Sequence, residues 1–434
     1  MSGLLIAPQR LFSESKFQGA LDSWGRGMLG GKPGSRSLYG WTVGVRPFNT
    51  RIYATGNKQP VLMPDAMVAW SGEIFNRGHW SDEEVLVSVF KTRDFEGFHA
   101  LDGFWSVVRV TSEGPQIFTD PLGLRPMYYW PKYQIASSEL EPLRHLGGKV
   151  LLDEIYLSNC IKFGYDYSGR TPYEGIYQMP PGSVLDLTTG NLKQYWRWSK
   201  VPGKPEDLKI TLDNAIQNRL YSDHQVVMLL SGGLDSSIIY YSLKEHYLSI
   251  PAFSIENGES QYLPEGVELL EVEEVSLAEA VRIMQAPLDL GSLLPQIAAA
   301  RALRDRGFEV CMTGDGADEL FGGYSRAQIY DSQASDIFCE LPYYHLPRLD
   351  RVMANASVQV RTPYLAPKVV ATALRLPRSD RTMKQALKAA YGPLLPPEIV
   401  LRDKQPWKSR EVVSGGFHHR VKLVEEFRNA HTSL

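Results

Sequence analysis

Residues 226–237 combine the residue types that bind phosphate groups. The apolar run 226–230 predicts a short buried strand, and Ser231, Gly232 and Gly233 follow it directly. Two consecutive glycines let the backbone turn tightly and approach a ligand closely, because they carry no Cβ atom. Where a helix begins behind such a turn, backbone amides and the positive helix end form a socket for phosphate oxygens. The segment therefore predicts a phosphate-binding loop, with an ordinary tight turn as the alternative.

The side chains of this segment support the same interpretation. Leu230 closes the strand, and the hydroxyls of Ser231, Ser236 and Ser237 are further hydrogen-bond donors for phosphate oxygens. Asp235 suits a Mg²⁺ ion that bridges phosphates, because Mg²⁺ prefers carboxylate oxygens. No Gly-Lys-Ser/Thr sequence follows the glycines, so the loop differs from the Walker pattern.

A second cluster of glycines and carboxylates, residues 314–324, also follows a short apolar run. Asp318 is the better metal ligand of this cluster, because it could complete the coordination of an ion together with Asp235. Asp315 could instead contact an organic substrate or act as a base. The alternative is a helix N-terminus whose acidic residues only stabilise the helix dipole.

The first half of the chain is typical of antiparallel strands joined by turns. Short alternating runs at 104–110 and 116–119 predict strands. The Pro- and Gly-rich stretch 201–205 is the best linker candidate. We therefore divide the chain into an amino-terminal domain, 1–200, and a carboxy-terminal domain, 201–434.

Beyond this linker, predicted strands alternate with predicted helices. A helix at 206–219 precedes the strand at 226–230, a second helix resumes near Ile238, and further strands lie at 252–255 and 309–313. Such alternation predicts a parallel sheet whose ligands bind at the carboxyl ends of its strands. The remainder of the chain is predicted to be mostly helical.

The composition is that of an ordinary globular protein of two or three domains. The chain has 434 residues, of which 43% are hydrophobic and 22% charged. The formal net charge of −3 predicts no general affinity for nucleic acid. Cys160, Cys311 and Cys339 are widely spaced and indicate no metal or disulfide framework, which fits a reducing cytoplasm. We expect neither a signal peptide nor a membrane span.

Together these segments resemble the asparagine synthetase and β-lactam synthetase family. Residues 231–237 and 314–324 are similar to the two ligand-binding segments of its synthetase domain. The resemblance extends over nearly the whole chain. Further matching segments are 71–76, 101–104, 120–128, 135–143 and 177–187 in the first domain, and 357–365, 382–384 and 402–404 in the second.

The resemblance implies an α/β fold in two parts: an αββα sandwich of the Ntn-hydrolase type, and a doubly wound parallel-sheet ATP-pyrophosphatase domain with a helical carboxy-terminal part. It implies ATP and Mg²⁺. The ATP-binding residues would be Leu230, Ser231, Gly232, Gly233, Asp235, Ser236 and Gly314, and the metal ligands would be Asp235 and Asp318. It also implies that Lys384 contacts pyrophosphate. Lys404 would stabilise the negative charge that develops on the acyl oxygen and the phosphate.

The resemblance fails where glutamine-hydrolysing members need specific residues. Ser2 stands where those members have a nucleophilic Cys, and Ser71 replaces an Asn expected to stabilise the oxyanion. Their Arg-His-Arg-Gly-Pro segment has no clear counterpart, although Asp82 matches the glutamine-binding Asp. A thiolate attacks a carboxamide far more readily than a hydroxyl does. We therefore expect no glutaminase activity; a processed N-terminal Ser nucleophile is the alternative.

The expected activity is an AMP-forming amide synthesis in natural-product biosynthesis. The carboxylate of a small amino-carboxylate substrate would attack the α-phosphate of ATP, and an amine of the same molecule would then displace AMP, as in β-lactam synthetases. Three alternatives stay open: an ammonia-dependent asparagine synthetase-like ligase, a macrolactam cyclase of the lasso-peptide type, and a non-catalytic decayed synthetase. Asp315 speaks against the β-lactam reaction, because β-lactam synthetases have there a Tyr that works with a Glu as base. A homodimer is compatible with the resemblance.

Overall fold

The fold is taken from a computed structural model. The structure describes residues 3–24, 33–46, 59–76, 78, 80–92, 95–198, 206–289, 291–324, 340–401 and 416–432. The linker predicted at 201–205 lies outside these ranges. None of the described helices is long and apolar enough to cross a membrane.

The first part of the chain forms two antiparallel sheets and their covering helices. Its strands are β1 (Gly3–Pro8), β2 (Gly34–Leu38), β3 (Trp41–Arg46), β4 (Val61–Leu62), β5 (Met67–Ile74), β6 (Gly103–Thr111), β7 (Gly114–Thr119), β8 (Tyr128–Trp130), β9 (Ile135–Ser137), β10 (Tyr177–Gln178), β11 (Ser183–Asp186) and β12 (Leu192–Gln194). Its helices are α1 (Glu14–Asp22), α2 (Asp82–Thr92), α3 (Leu140–Gly147) and α4 (Glu154–Phe163). Within the described residues the strand orders are β10-β8-β9-β1-β3-β2 and β12-β11-β7-β6-β5-β4.

These two sheets pack face to face, with helices outside. Alternate residues of a strand point to opposite faces, so Leu4 of β1 packs in a core shared with β5 and β6 of the other sheet. Leu5 packs on the other face against Phe17 of α1. On the outer face of the second sheet, Trp70 packs with Phe90 of α2. The four layers confirm the predicted αββα sandwich.

The second part of the chain contains a parallel sheet of the strands β13 (Val226–Leu229), β14 (Ala252–Ile255), β15 (Glu268–Leu270), β16 (Val310–Met312) and β17 (Gln359–Arg361). In the described residues their order is β15-β14-β13-β16-β17, and neighbouring strands run parallel. The strand order reverses direction between β13 and β16, and ligands of doubly wound sheets bind at that crevice. The predicted doubly wound sheet is therefore confirmed.

Helices cover both faces of the parallel sheet. The helices of this part are α5 (Leu208–Asn218), α6 (Leu234–Glu245), α7 (Leu277–Met284), α8 (Leu293–Asp305), α9 (Ala317–Phe321), α10 (His345–Asn355), α11 (Pro367–Arg375), α12 (Arg378–Arg381), α13 (Gln385–Tyr391), α14 (Pro397–Leu401) and α15 (Phe417–Thr432). Val227 of β13 packs on the side of α7, α8 and α10, and Met228 on the side of α5, α6 and α11. Fully buried strands of this kind read as continuous apolar runs.

The largest error in a predicted boundary concerns the helix after β13, whereas the helix predicted at 206–219 differs by two residues at its start and one at its end. The helix after the Gly-Gly turn begins at Leu234, four residues before the predicted resumption at Ile238. Gly233 has an extended backbone, with φ −78° and ψ 165°, and serves as the N-cap. Asp235 and Ser236 therefore belong to the first helical turn, which places their side chains beside the loop.

Candidate functional site

The two glycine-rich segments meet at the carboxyl ends of β13 and β16. These strands are adjacent and parallel, with Met228 opposite Met312, so the loops that follow them lie at the same edge of the sheet. A Cβ atom added to Gly314 would lie 3.0 Å from the backbone nitrogen of Ser236. The structure therefore brings together the segments that the sequence analysis predicts to bind phosphate and metal.

Hydrogen bonds from backbone N–H groups to serine hydroxyls stabilise the turn after β13. Leu230 is buried and donates its backbone N–H to the carbonyl of Phe253, which anchors the loop to β14. The backbone N–H of Ser231 donates to Oγ of Ser236 at 3.2 Å, and the N–H of Gly233 donates to Oγ of Ser231 at 3.2 Å. Because α6 begins directly behind this turn, the positive end of its dipole points at the loop.

Gly232 is the position where this loop tolerates no side chain. Its φ is +82°, and an added Cβ atom would lie 2.5 Å from the carbonyl oxygen of Glu259. Gly266 has the same backbone type, with φ +86°, but nothing lies within 4 Å of its added Cβ atom. An alanine at Gly266 would therefore suffer backbone strain alone, whereas an alanine at Gly232 would suffer the same strain and a steric clash with Glu259.

We expect Gly232→Ala to lower the free energy of unfolding more than Gly266→Ala does. Both variants suffer the strain of a left-handed alanine, about 1 kcal/mol, but only Gly232→Ala must also displace the backbone at Glu259. Gly232→Ala should weaken binding of inorganic pyrophosphate by about tenfold or more, and Gly266→Ala should not. Denaturant unfolding and calorimetry measure both effects. Equal losses in the two variants would contradict the role assigned to the loop.

Lys384 joins the two predicted metal ligands. Its Nζ atom lies 2.6 Å from each carboxylate oxygen of Asp235 and 2.5 Å from Oδ1 of Asp318. Burial acts to lower the pKa of Lys384, but the two carboxylates outweigh it and hold that pKa above its usual range. Lys384 is therefore a charged ammonium although it is only 6% exposed.

The chain around this ammonium adopts a costly conformation. Met383 and Lys384 have φ of 54° and 60°, the left-handed region that non-glycine residues avoid at a cost on the order of 1 kcal/mol each. Gly323 leaves room for the ion pair, because an added Cβ atom would lie 1.9 Å from Oδ1 of Asp318 and 2.4 Å from Cε of Lys384. The ion pairs and the close packing at Gly323 therefore hold Lys384 in a backbone conformation that is unfavourable by itself.

The donor atoms of this cluster fit a divalent cation with phosphate oxygens. Asp235 and Asp318 present carboxylate oxygens, the ligands that Mg²⁺ prefers, and their side chains are 18% and 17% exposed. Convergence of two carboxylates on one point requires positive charge there, and Lys384 supplies a single unit of it. The residues present therefore suit Mg²⁺ held between the carboxylates and a bound polyphosphate.

Asp315 forms an ion pair with Arg348 instead of Lys384. Oδ1 of Asp315 accepts a hydrogen bond from Nη2 of Arg348 at 2.7 Å, and Arg348, in the first turn of α10, is 7% exposed. Asp315 therefore carries its charge in an ion pair with Arg348, outside the cluster of Asp235, Lys384 and Asp318. The pair presents a negative and a positive group side by side.

A buried Glu–Tyr pair lies in the same segment. Glu319 is 4% exposed and accepts a hydrogen bond from the hydroxyl of Tyr324 at 2.6 Å. Its other neighbour is His345, whose Nε2 atom is 3.6 Å away. Burial, and next the charge of Asp318, raise the pKa of Glu319 to about 7. The Glu319 carboxyl can therefore exchange a proton near neutral pH.

The outcome for the predicted site residues is mixed. The structure brings together the predicted phosphate and metal residues of the two loops and Lys384. It places Asp315 at the edge of that group, in an ion pair. Lys404 and Ser2 lie outside the described residues. Sequence reasoning missed Arg348, Glu319 and Tyr364, whose hydroxyl donates to the carbonyl of Asp235 at 3.0 Å.

The described cysteines are poor nucleophiles. Cys160 and Cys311 are fully buried, and burial raises the pKa of both thiols far above neutrality. Ser71, which replaces the Asn expected to stabilise the oxyanion, lies in β5 and is 0% exposed. Asp82 begins α2. Cys339 lies outside the described residues.

Comparison with known proteins adds two family matches. The glutamine amidotransferase domain matches residues 54–196, and asparagine synthase matches residues 207–338 and 331–422. Together these matches cover most of the chain and both of its parts.

Curated relatives agree with these matches. A putative glutamine-hydrolysing asparagine synthetase of Methanocaldococcus jannaschii is 25% identical over 60% of this chain and 59% of its own length. Asparagine synthetase 1 of Bacillus subtilis is 25% identical over 62% of this chain and 49% of its own length. The chain thus spans 49% to 59% of the length of these two relatives. A solved structure of the allosteric regulatory enzyme of purine biosynthesis is 14% identical and covers 84% of this chain, with a TM-score of 0.33.

Proposed function

The chain belongs to the asparagine synthetase family, and from that premise we propose that it is an ATP-dependent amide synthetase that releases AMP and pyrophosphate. The proposal depends mainly on the convergence of Asp235, Asp318 and Lys384 beside the turn of residues 231–233, called the Ser231 loop below. Two carboxylates, an ammonium and a glycine-rich turn before a helix are the groups needed to hold a polyphosphate with its metal. We further propose Mg²⁺ as that metal.

The first step is activation of a carboxylate. At neutral pH a carboxylate and an amine form a salt instead of an amide, so the acyl group needs a leaving group. The substrate carboxylate attacks the α-phosphate of ATP, an acyl-adenylate forms, and pyrophosphate leaves. The Ser231 loop and the Lys384 ammonium receive the charge of the leaving pyrophosphate. Mg²⁺ bound at Asp235 and Asp318 would neutralise part of that charge.

The second step is attack of an amine on the acyl-adenylate, which releases AMP. The amine must lose a proton in this step. Glu319, whose pKa is raised to about 7, is suited to take it with Tyr324. The Asp315–Arg348 pair is suited to orient a substrate that carries both an ammonium and a carboxylate. We keep Lys404 as the proposed group that stabilises charge on the acyl oxygen.

We propose that the amine belongs to the same molecule, as in β-lactam synthetases, and that the first domain, 1–200, hydrolyses no glutamine. Ser71 in place of the expected Asn and the burial of Cys160 and Cys311 support the absence of glutaminase activity. Because Asp315 occupies the position of the β-lactam synthetase Tyr, we propose that Glu319, which accepts a hydrogen bond from Tyr324, serves as the base for this amine. We also propose a role in natural-product biosynthesis in the cytoplasm.

The second candidate is an ammonia-dependent ligase, which Asp315 favours because its carboxylate could bind an ammonium ion before that ion loses a proton and reacts as ammonia.

The experiment combines purified protein, ATP and Mg²⁺ with a panel of amino-dicarboxylic and β-amino acids, either without a nitrogen source, with ammonium or with glutamine. We expect a product one water lighter than its substrate without any nitrogen source. Turnover only with ammonium would instead establish the second candidate, and turnover with glutamine would contradict the absence of glutaminase activity.

A further inference from the structure

Two buried ion pairs join the αββα sandwich to the parallel-sheet part beside the site. Arg361, which is 0% exposed, donates through Nε and Nη2 to the carboxylate of Glu73 at 3.0–3.2 Å. Arg219 donates to Asp102 at 2.7 Å and 3.2 Å. Both guanidiniums also lie over the ring of Phe75, at 5.3 Å and 4.7 Å from its centroid. The carboxylates and the ring come from the sandwich, and both arginines from the other part.

The Glu73–Arg361 pair is connected to the site through β17. Arg361 is the last residue of β17, and its carbonyl accepts a hydrogen bond at 3.0 Å from the N–H of Thr313, the residue before Gly314. Three residues after Arg361, the hydroxyl of Tyr364 holds the carbonyl of Asp235. One short segment, 361–364, is therefore hydrogen-bonded both to the residue before Gly314 and to the first turn of α6.

Arg361 also donates through Nη1 to the carbonyls of Arg219 and Tyr221, at 2.7 Å and 2.8 Å, but these neutral groups do not offset its charge as the Glu73 carboxylate does. Loss of that carboxylate leaves an uncompensated charge in a low-dielectric environment, which the structure relieves by moving or by admitting water. Because Arg361 cannot be neutralised, any such movement displaces the end of β17. The displacement then reaches Thr313 and Asp235 through the two hydrogen bonds described above.

We propose that Glu73 is a positioning residue for the synthetase site. Its carboxylate fixes Arg361, and through β17 it sets the position of the first turn of α6, which carries Asp235, relative to the loop that carries Gly314. The sandwich thus contributes a charge on which the adenylating site depends, beyond covering the other part of the chain. This inference rests on the function proposed above.

The test compares Glu73→Gln with Asp350→Asn. The control removes a similar buried charge from the Arg125–Asp350 ion pair, which crosses the same interface through α10 instead of β17. Deuterium uptake of peptides that cover residues 310–317 and 231–237 reports how firmly the structure holds the amides of these segments. The rates and ATP KM values of ATP–pyrophosphate exchange report the chemistry.

We expect Glu73→Gln to slow exchange at saturating ATP by about 100-fold, with faster deuterium uptake in both peptides. Asp350→Asn should lose stability but keep the exchange rate and both uptake rates. Glu73→Asp, which retains the charge, should recover part of the rate, and it replaces Glu73→Gln if that variant does not fold. Unchanged uptake in the Glu73 variants, or equal changes in Asp350→Asn, would overturn the inference. If the wild type shows no exchange, the proposed function fails, and deuterium uptake alone still decides the role of Glu73.

Discussion

Asp318→Asn should lower the rate of ATP–pyrophosphate exchange by about 100- to 1,000-fold. The Asp318 carboxylate lies 2.5 Å from Nζ of Lys384 and shares that ammonium with Asp235. A neutral amide removes one of the two negative charges that a divalent cation requires at this point. Because the amide has nearly the same size as the carboxylate, Lys384 can stay between this amide and Asp235, so the loss falls on metal and phosphate binding.

The matched control for this variant is Asp305→Asn, which changes an exposed carboxylate at the end of α8. The control should keep the exchange rate of the wild type. The Mg²⁺ dependence separates the variants further: Asp318→Asn should need a higher Mg²⁺ concentration for half-maximal exchange, and Asp305→Asn should not. Wild-type exchange in Asp318→Asn at ordinary Mg²⁺ concentration would contradict the metal site.

Lys384→Met should abolish most of the exchange, again by about 100- to 1,000-fold, and should make the stability of the protein depend more strongly on Mg²⁺ than that of the wild type does. Without the ammonium, the carboxylates of Asp235 and Asp318 face each other in a mostly buried site. Breaking a buried ion pair by removing one partner costs about 3–5 kcal/mol of unfolding free energy. A divalent cation can recover part of this loss, because it neutralises both carboxylates.

The measurement is the melting temperature with and without Mg²⁺ for Lys384→Met, the wild type and the control Lys388→Met. Lys388 is on α13, four residues from Lys384, and it is only half-buried. We expect the largest gain in melting temperature from Mg²⁺ in Lys384→Met, and equal, smaller gains in the other two proteins. An equal gain in all three would mean that the carboxylates do not form the metal site.

The sequence was sufficient to predict the parts of this site that depend on local order. An apolar run, two glycines and a helix predicted to follow them indicate β13, the turn and α6, and parallel strands bring their carboxyl ends to one edge. The pairing of Asp235 with Asp318 follows from that topology. The helix start was misplaced because Gly233 itself caps α6, so the polar residues after it are helical instead of part of the loop.

The residues that were missed depend on distant packing. Arg348 meets Asp315 only because α10 packs beside the loop, 33 residues away in sequence. Glu73 and Arg361 are 288 residues apart, and neither period nor composition relates them. The left-handed conformation of Lys384 is equally unpredictable, because it is an unfavourable local state that the ion pairs stabilise. These features depend on contacts between distant parts of the chain, which outweigh the local conformational preferences of the residues at strained sites.

The most direct test of the adenylation chemistry is the transfer of label from radioactive pyrophosphate into ATP. The purified protein is incubated with ATP, labelled pyrophosphate, Mg²⁺ and each member of the acid panel. We predict label in ATP only when a substrate acid and Mg²⁺ are present, and almost none with Asp318→Asn. Formation of ADP and phosphate with an active acid, or exchange that does not depend on Asp318, would contradict an AMP-forming site at these residues.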